Sequence, residues 1–129
     1  MEVHEGPGWR LCLDPGRGSF PVLLGGEGWA VELQADEARS LAEGCCRLAD
    51  ELAELSERLM PEEEVSLEFE RGPLWLELEG RPQAWRLRFV LTPGAAARGV
   101  EAGWSEVASQ SVVAALRQGL AFSPDRAWP

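Results

Sequence analysis

The chain has 129 residues, 45% apolar and 26% charged, which fits one globular domain and excludes disordered and fibrous proteins. Twelve arginines stand against 22 acidic residues, so the net charge is −10 and generic nucleic-acid binding is disfavoured. No apolar run approaches the roughly 20 residues that span a bilayer, and the first five residues lack signal-peptide features. We therefore expect a cytoplasmic protein that makes no membrane contact.

The first third of the chain predicts a three-stranded meander. Apolar and polar residues alternate over residues 9–13, and short strands are also predicted over residues 20–24 and 29–33. Turn-forming residues at 14–18 and glycines at 25–28 separate the three strands. This pattern is typical of a small antiparallel sheet with one buried face.

The clearest helix is predicted over residues 35–60, ending before Pro61. Its apolar residues recur at alternating spacings of three and four and form one stripe: Ala38, Leu41, Cys45, Leu48, Leu52, Leu55 and Leu59. We favour packing of this stripe on the protein's own sheet, because the strands need a cover. The same repeat also allows a coiled-coil seam with a second copy, so a homodimer stays open.

The three cysteines are an odd number in a chain without secretory features, so reduced thiols are expected. Cys45 and Cys46 are neighbours on the predicted helix and point about 100° apart, so they cannot chelate one metal together. We predict that these two and Cys12 are small apolar packing residues.

A second three-stranded meander is predicted over residues 65–70, 74–79 and 85–91. One face is apolar, and the other places glutamates of two strands beside Arg86 and Arg88 of the third. This arrangement predicts cross-strand ion pairs, each contributing on the order of 0.2–1 kcal/mol.

A loop rich in alanine and glycine is predicted over residues 92–103, followed by a second helix. Ser105 is its expected N-cap and Gly119 its expected end. We expect residues 121–129 to form an irregular tail.

Together these elements predict a single α+β domain over residues 1–129, built from two β-β-β-α repeats at about 8–60 and 64–120. An antiparallel sheet would pack against the long amphipathic helix and the shorter C-terminal helix. The similar order of elements in the two halves suggests an internal duplication.

Several segments of the chain resemble a known family. They are Gly8-Trp9-Arg10, Asp14-Pro15, Phe20-Pro21, Gly25-Gly26-Glu27, Trp29-Ala30-Val31-Glu32-Leu33, Leu59-Met60-Pro61-Glu62-Glu63, Trp75-Leu76-Glu77-Leu78-Glu79-Gly80 and Arg98-Gly99-Val100-Glu101. With these segments, nearly the whole chain resembles a small family of cyanobacterial proteins of unknown function. Members of that family are similar in fold to the Whirly group, a fold shared with single-stranded-DNA-binding transcriptional regulators. The resemblance implies that architecture and a photosynthetic prokaryote as source, but no activity and no catalytic residues.

Enzyme chemistry has little support in the sequence. His4 is the only histidine and lies in a segment expected to be frayed, so neither a nucleophile–histidine dyad nor a histidine-rich metal site can form. The acidic run at residues 62–64 is more typical of solvated charge than of a cation site. No phosphate-binding glycine motif occurs. We expect no catalysis, no cofactor and no metal.

Binding is the remaining class of function, and a protein partner is favoured. Trp75 lies on the charged side of its strand, where alternation predicts solvent, and exposed tryptophan is enriched at interface hot spots. The alternative for this residue is that the last helix, the tail or a second subunit covers it. We therefore predict a non-catalytic protein-interaction module, a regulator or an assembly factor.

Binding of single-stranded nucleic acid is the alternative function. Such proteins combine a cationic groove with aromatic platforms, and residues 80–129 hold six arginines and three acidic residues. Against it, the sheet arginines face glutamates, and the remaining positive charge is small. The candidate binding residues for either partner are Trp75, Arg86, Arg88, Arg98 and Trp104.

Overall fold

The computed structural model describes residues 1–94 and 98–121. These residues contain eight strands and two α-helices, with a 3₁₀ turn at Pro15–Arg17, a 3₁₀ turn at Ser56–Arg58 and a π-helical turn at Arg117–Ala121. In chain order the elements are β1 (Glu2–Gly6), β2 (Trp9–Leu13), β3 (Val22–Gly26), β4 (Trp29–Leu33), α1 (Ala35–Leu55), β5 (Val65–Arg71), β6 (Leu74–Arg81), β7 (Ala84–Leu91), β8 (Val100–Trp104) and α2 (Glu106–Leu116). Strands β1 to β4 form the N-terminal sheet and β5 to β8 the C-terminal sheet, both antiparallel with neighbouring strands paired in sequence order.

The α+β class is confirmed, but each half contains four strands before its helix instead of three. The missed strand β1 carries Glu2 and His4 on its inner side, so it lacks the apolar alternation that marks a half-buried strand. The missed strand β8 lies in the predicted loop, and its Ala102 and Gly103 are residues depleted in strands. His4 is therefore part of a paired strand, opposite Leu11, and not of a frayed terminus.

Helix α1 packs on the protein's own C-terminal sheet, as favoured from the sequence, against strands β5 and β6. The stripe residues from Ala38 to Leu52 are buried in one core cluster, so this part of the stripe is not available for a coiled-coil seam. The helix ends at Leu55, earlier than predicted, and the 3₁₀ turn Ser56–Arg58 completes the segment before Pro61.

Helix α2 packs against β1 and β2 of the N-terminal sheet and also against β7. It begins as predicted at Ser105, whose Oγ accepts a hydrogen bond from the Ala108 N–H at 3.4 Å. The Trp9 indole N–H donates to the Ser111 Oγ at 3.0 Å and fixes the helix to β2. Helix α1 thus packs on the sheet of the other half, α2 packs on strands of both sheets, and a single core cluster contains residues of both halves. The duplication itself stays a prediction. The irregular tail was predicted over residues 121–129, but Ala121 ends the π-helical turn, and residues 122–129 lie outside the described residues.

The cysteine prediction is confirmed, since all three cysteines are free and buried. Burial raises the pKa of the Cys45 thiol strongly, and the nearby Cys46 adds to this effect. Burial also raises the pKa of Cys46, although the Arg117 guanidinium opposes this shift. Both thiols therefore stay protonated and pack as small apolar groups.

Candidate functional site

The outer face of the C-terminal sheet points away from both helices, because side chains alternate across a strand and the other set forms the core. All the residues on this outer face are at least partly exposed. We call it the open face, and it consists of Ser66, Glu68, Glu70, Trp75, Glu77, Glu79, Arg81, Ala84, Arg86, Arg88, Val90, Glu101 and Gly103.

Trp75 is the one aromatic side chain among these residues. The strand register places Glu70 on one side of it and Val90 on the other. The indole is half-buried, and the Arg88 guanidinium lies over its ring at 4.8 Å from the centroid. The structure thus places Trp75 on the open face, as predicted, with an arginine of the adjacent strand partly covering it.

Two arginines of the open face, Arg86 and Arg88, each pair with two carboxylates. The Arg88 guanidinium lies 3.0 Å from a Glu101 oxygen and 3.5 Å from a Glu77 oxygen. Arg86 pairs with Glu79 and lies 4.0 Å from Glu106, the first residue of α2. The predicted cross-strand ion pairs between β6 and β7 are confirmed.

The charge of the open face is nevertheless negative, because five glutamates stand against three arginines, Arg81, Arg86 and Arg88. Within residues 1–94 and 98–121, Glu68 and Glu70 of β5 make no ion pair with an arginine. Exposed ion pairs contribute about 0–1 kcal/mol each, so the existing pairs can open at small cost. The face is therefore suited to a cationic partner.

A cleft of about 530 Å³ opens at the β8 side of this face. Gly103 is part of its lining and lies close to β7, where a Cβ would be 2.5 Å from the Leu87 carbonyl oxygen. Its charged lining consists of Glu27, Glu77, Glu79, Glu101, Arg86 and Arg88. With four carboxylates and two guanidinium groups, the cleft has a net negative charge, as the open face does.

The other two candidate residues lie elsewhere. Trp104 is 3% exposed and belongs to the core, because it pairs with Leu87 and so shares the inner face. Its indole N–H donates to the Gly25 carbonyl at 3.0 Å, and the Trp29 N–H donates to the Gly103 carbonyl at the same distance. Trp104 forms part of the cleft wall but is no exposed stacking platform. Arg98 is exposed two residues before β8.

Two features of the open face were missed in the sequence. Glu101 was missed because it lies on β8, which was predicted as a loop. The neighbour relation of Trp75 and Val90 was missed because it depends on the register of β6 and β7. Strand parity alone predicts the face of a residue, and only the pairing gives its neighbours.

A family model described as a domain of unknown function, DUF1818, matches residues 4–119. The chain belongs to this family. A crystal structure described as a protein with unknown function from the DUF155 family of the cyanobacterium Prochlorococcus sp. NATL2A is 39% identical, with a TM-score of 0.86. The match covers 92% of this chain and 98% of that one. No curated protein matches. The expected membership in a family of unknown function is confirmed, and the solved relative is cyanobacterial.

Two further observations concern the described part of this DUF1818 chain. Its residues contain no group of three or more histidine, cysteine, aspartate or glutamate side chains placed to hold a metal ion. Neither of its α-helices combines the length and the apolar character that crossing a membrane requires.

Proposed function

We propose that this DUF1818 protein is a non-catalytic module that binds another protein through the open face, with Trp75 as the anchor. One observation carries the proposal: a half-buried tryptophan that keeps some exposed surface lies on a sheet face that is otherwise mostly charged. Large aromatic side chains surrounded by polar groups are the usual anchors of protein interfaces. The neighbouring Val90 extends the apolar area across the strand pair.

The core does not need this side chain. Trp29, Phe89 and Trp104 form an aromatic cluster with ring centroids 5.3–5.7 Å apart at the junction of the two sheets. Trp85 is also buried. Trp75 contributes to neither, so a binding role explains its presence better than a packing role.

The described residues offer few parts for catalysis, which supports a binding role. All three thiols are buried, and burial raises the pKa of Cys45 and Cys46. His4 hydrogen-bonds to Glu2 at 2.9 Å, and among the described residues no hydrogen bond joins it to a thiol.

Single-stranded nucleic acid is the second candidate partner, and the Whirly-type likeness that suggests it stays a prediction. It has weaker support, because Arg86 and Arg88 are each paired with two carboxylates and the face is net negative. Phosphates would be repelled by Glu68 and Glu70. A titration of tryptophan fluorescence with a single-stranded oligonucleotide tests it cleanly, since the chain has no tyrosine. We expect no saturable quenching even at low salt.

Capture from a cyanobacterial lysate tests the proposed protein binding. The immobilised baits are the wild type, Trp75→Ala and the control Val107→Ala, which removes a side chain 75% exposed on α2. We expect a protein that the wild type and Val107→Ala retain and that Trp75→Ala loses, at unchanged melting temperature. Equal retention by all three baits would overturn the proposal.

A further inference from the structure

The Arg88 guanidinium occupies a site that has the chemistry of a cation-binding site. The Trp75 ring forms its base, and the carboxylates of Glu77 and Glu101 lie on two sides at 3.5 Å and 3.0 Å. Glu77 is itself held, since it accepts a hydrogen bond from the Ser66 hydroxyl at 3.2 Å. An aromatic face with adjacent carboxylates is how proteins bind guanidinium and ammonium groups.

We propose that Arg88 is an internal occupant of this site and that an arginine or lysine side chain of a basic segment in the partner protein replaces it. The inference rests on the proposed function, and it adds the chemistry of the partner. The Arg88 side chain is 50% exposed, so it can swing into solvent without opening the core. When it leaves, the Trp75 face and two carboxylates become free together.

The charges around the site favour this exchange. With Arg88 in place, the open face already carries an excess of negative charge, and Glu68 and Glu70 lie beside Glu77 and Trp75 on the adjacent strand. A partner segment with several basic residues would therefore gain attraction beyond the single site. A neutral or acidic segment would gain none.

Arg86 provides a matched comparison within the same strand. It lies on the same face, two residues away, and it also pairs with two carboxylates. No aromatic ring lies beneath it among the described residues. The proposal therefore assigns the exchange to Arg88 and not to Arg86.

The test uses a defined probe, the acetylated and amidated peptide Gly-Arg-Gly-Arg-Gly, and the same peptide with citrulline in place of arginine. The signal is the shift of the Trp75 indole N–H resonance in ¹⁵N-labelled protein, identified by its loss in Trp75→Phe. Arg88→Ala and Arg86→Ala lower the charge of the face equally, so non-specific attraction affects both alike. Because the cation–π contribution at exposed sites is about 0.5–1 kcal/mol, we expect Arg88→Ala to bind about two- to five-fold more tightly than Arg86→Ala.

The peptide titration and the capture experiment together separate the two proposals. Equal affinities of the two arginine variants, or equal binding of the citrulline peptide, would overturn the cation site. If this happens while Trp75→Ala still loses the captured protein, the docking face stands and only the partner chemistry is wrong. If the capture does not depend on Trp75, both proposals fail. Tight oligonucleotide binding that Arg88→Ala abolishes would assign the arginine to nucleic acid instead.

Discussion

The two faces of the C-terminal sheet differ completely in character although the same strands build both. The inner face is apolar, and helices α1 and α2 cover it. The side chains buried between the sheet and the helices are nearly all apolar. The outer face carries five glutamates, three arginines and one tryptophan, all open to solvent to some degree. Alternation along β6 and β7 produces this separation residue by residue.

The inner side chains stabilise the fold, and the outer side chains are available for a partner. Inner residues fill a close-packed volume, so removing or adding atoms there changes the free energy of unfolding. Outer residues contact mainly solvent and exposed partners, so their replacement changes the fold little. Four substitutions or conditions test this contrast.

Trp104→Ala should have the largest effect, because it removes a buried aromatic ring and the N–H bond to the Gly25 carbonyl. Removing a buried tryptophan costs about 3–5 kcal/mol of unfolding free energy. Urea denaturation measures this loss. Trp104→Phe keeps a ring and loses the donor, so it should lose less. A loss under about 1 kcal/mol for Trp104→Ala would contradict the core position of this residue.

Gly44→Ala tests how closely α1 approaches the inner face. An added Cβ would lie 2.7 Å from Cδ1 of Phe69 and 3.0 Å from Cδ2 of Leu76. Alanine favours the helix by about 1 kcal/mol, but overpacking costs about 1–3 kcal/mol, so we expect a net loss of up to about 2 kcal/mol. The double variant with Phe69→Leu should recover part of it, because it makes room for the methyl group. A stabilised single variant would show that the helix is free to shift.

High pH should weaken the inner face through the buried thiols. Burial raises the pKa of Cys45 above the ordinary thiol value of 9.0, so above that pH the unfolded chain loses this proton while the folded chain keeps it. Stability is therefore complete well below pH 9.0 and falls above it, and Cys45 alone accounts for a loss of about 1.4 kcal/mol at pH 10. Few other side chains interfere, since the chain has no lysine and no tyrosine.

The measurement is urea denaturation at pH 8 and pH 10 with a reducing agent. Cys45→Ala removes one of the thiols that cause the effect, so its stability should fall less between the two pH values. An identical fall in the variant and the wild type would assign the alkaline loss to other groups.

Trp75→Ala should have the smallest effect on folding. The side chain lies on the outer face, and a cross-strand contact there contributes about 0.2–1 kcal/mol. Val90→Ala on the adjacent strand is the matched control, and both should melt close to the wild type in a thermal scan. A loss near that of Trp104→Ala would place Trp75 in the core.

The sequence predicted both faces of the second meander correctly, because strands with strict alternation reveal which side chains share a side. It placed Trp75, Arg86 and Arg88 on one surface for the same reason. It did not predict β8, whose small residues lack a strand signal, and therefore could not tell that Trp104 faces inward. The stacking of Arg88 on Trp75 could not be predicted from the sequence either, because side-chain neighbours across strands depend on register.

The packing of the two helices against strands that are distant in the chain has a consequence for synthesis on the ribosome. Strands β1 and β2 are made first, yet the helix that packs on them, α2, is made after all eight strands. Helix α1 likewise cannot pack on β5 and β6 until these strands, which are translated after it, have been made. Contacts between distant parts of the chain are slow to form, and uncovered sheets aggregate easily. The nascent N-terminal half therefore exposes apolar surface during most of translation, a period in which a chaperone has most to contribute.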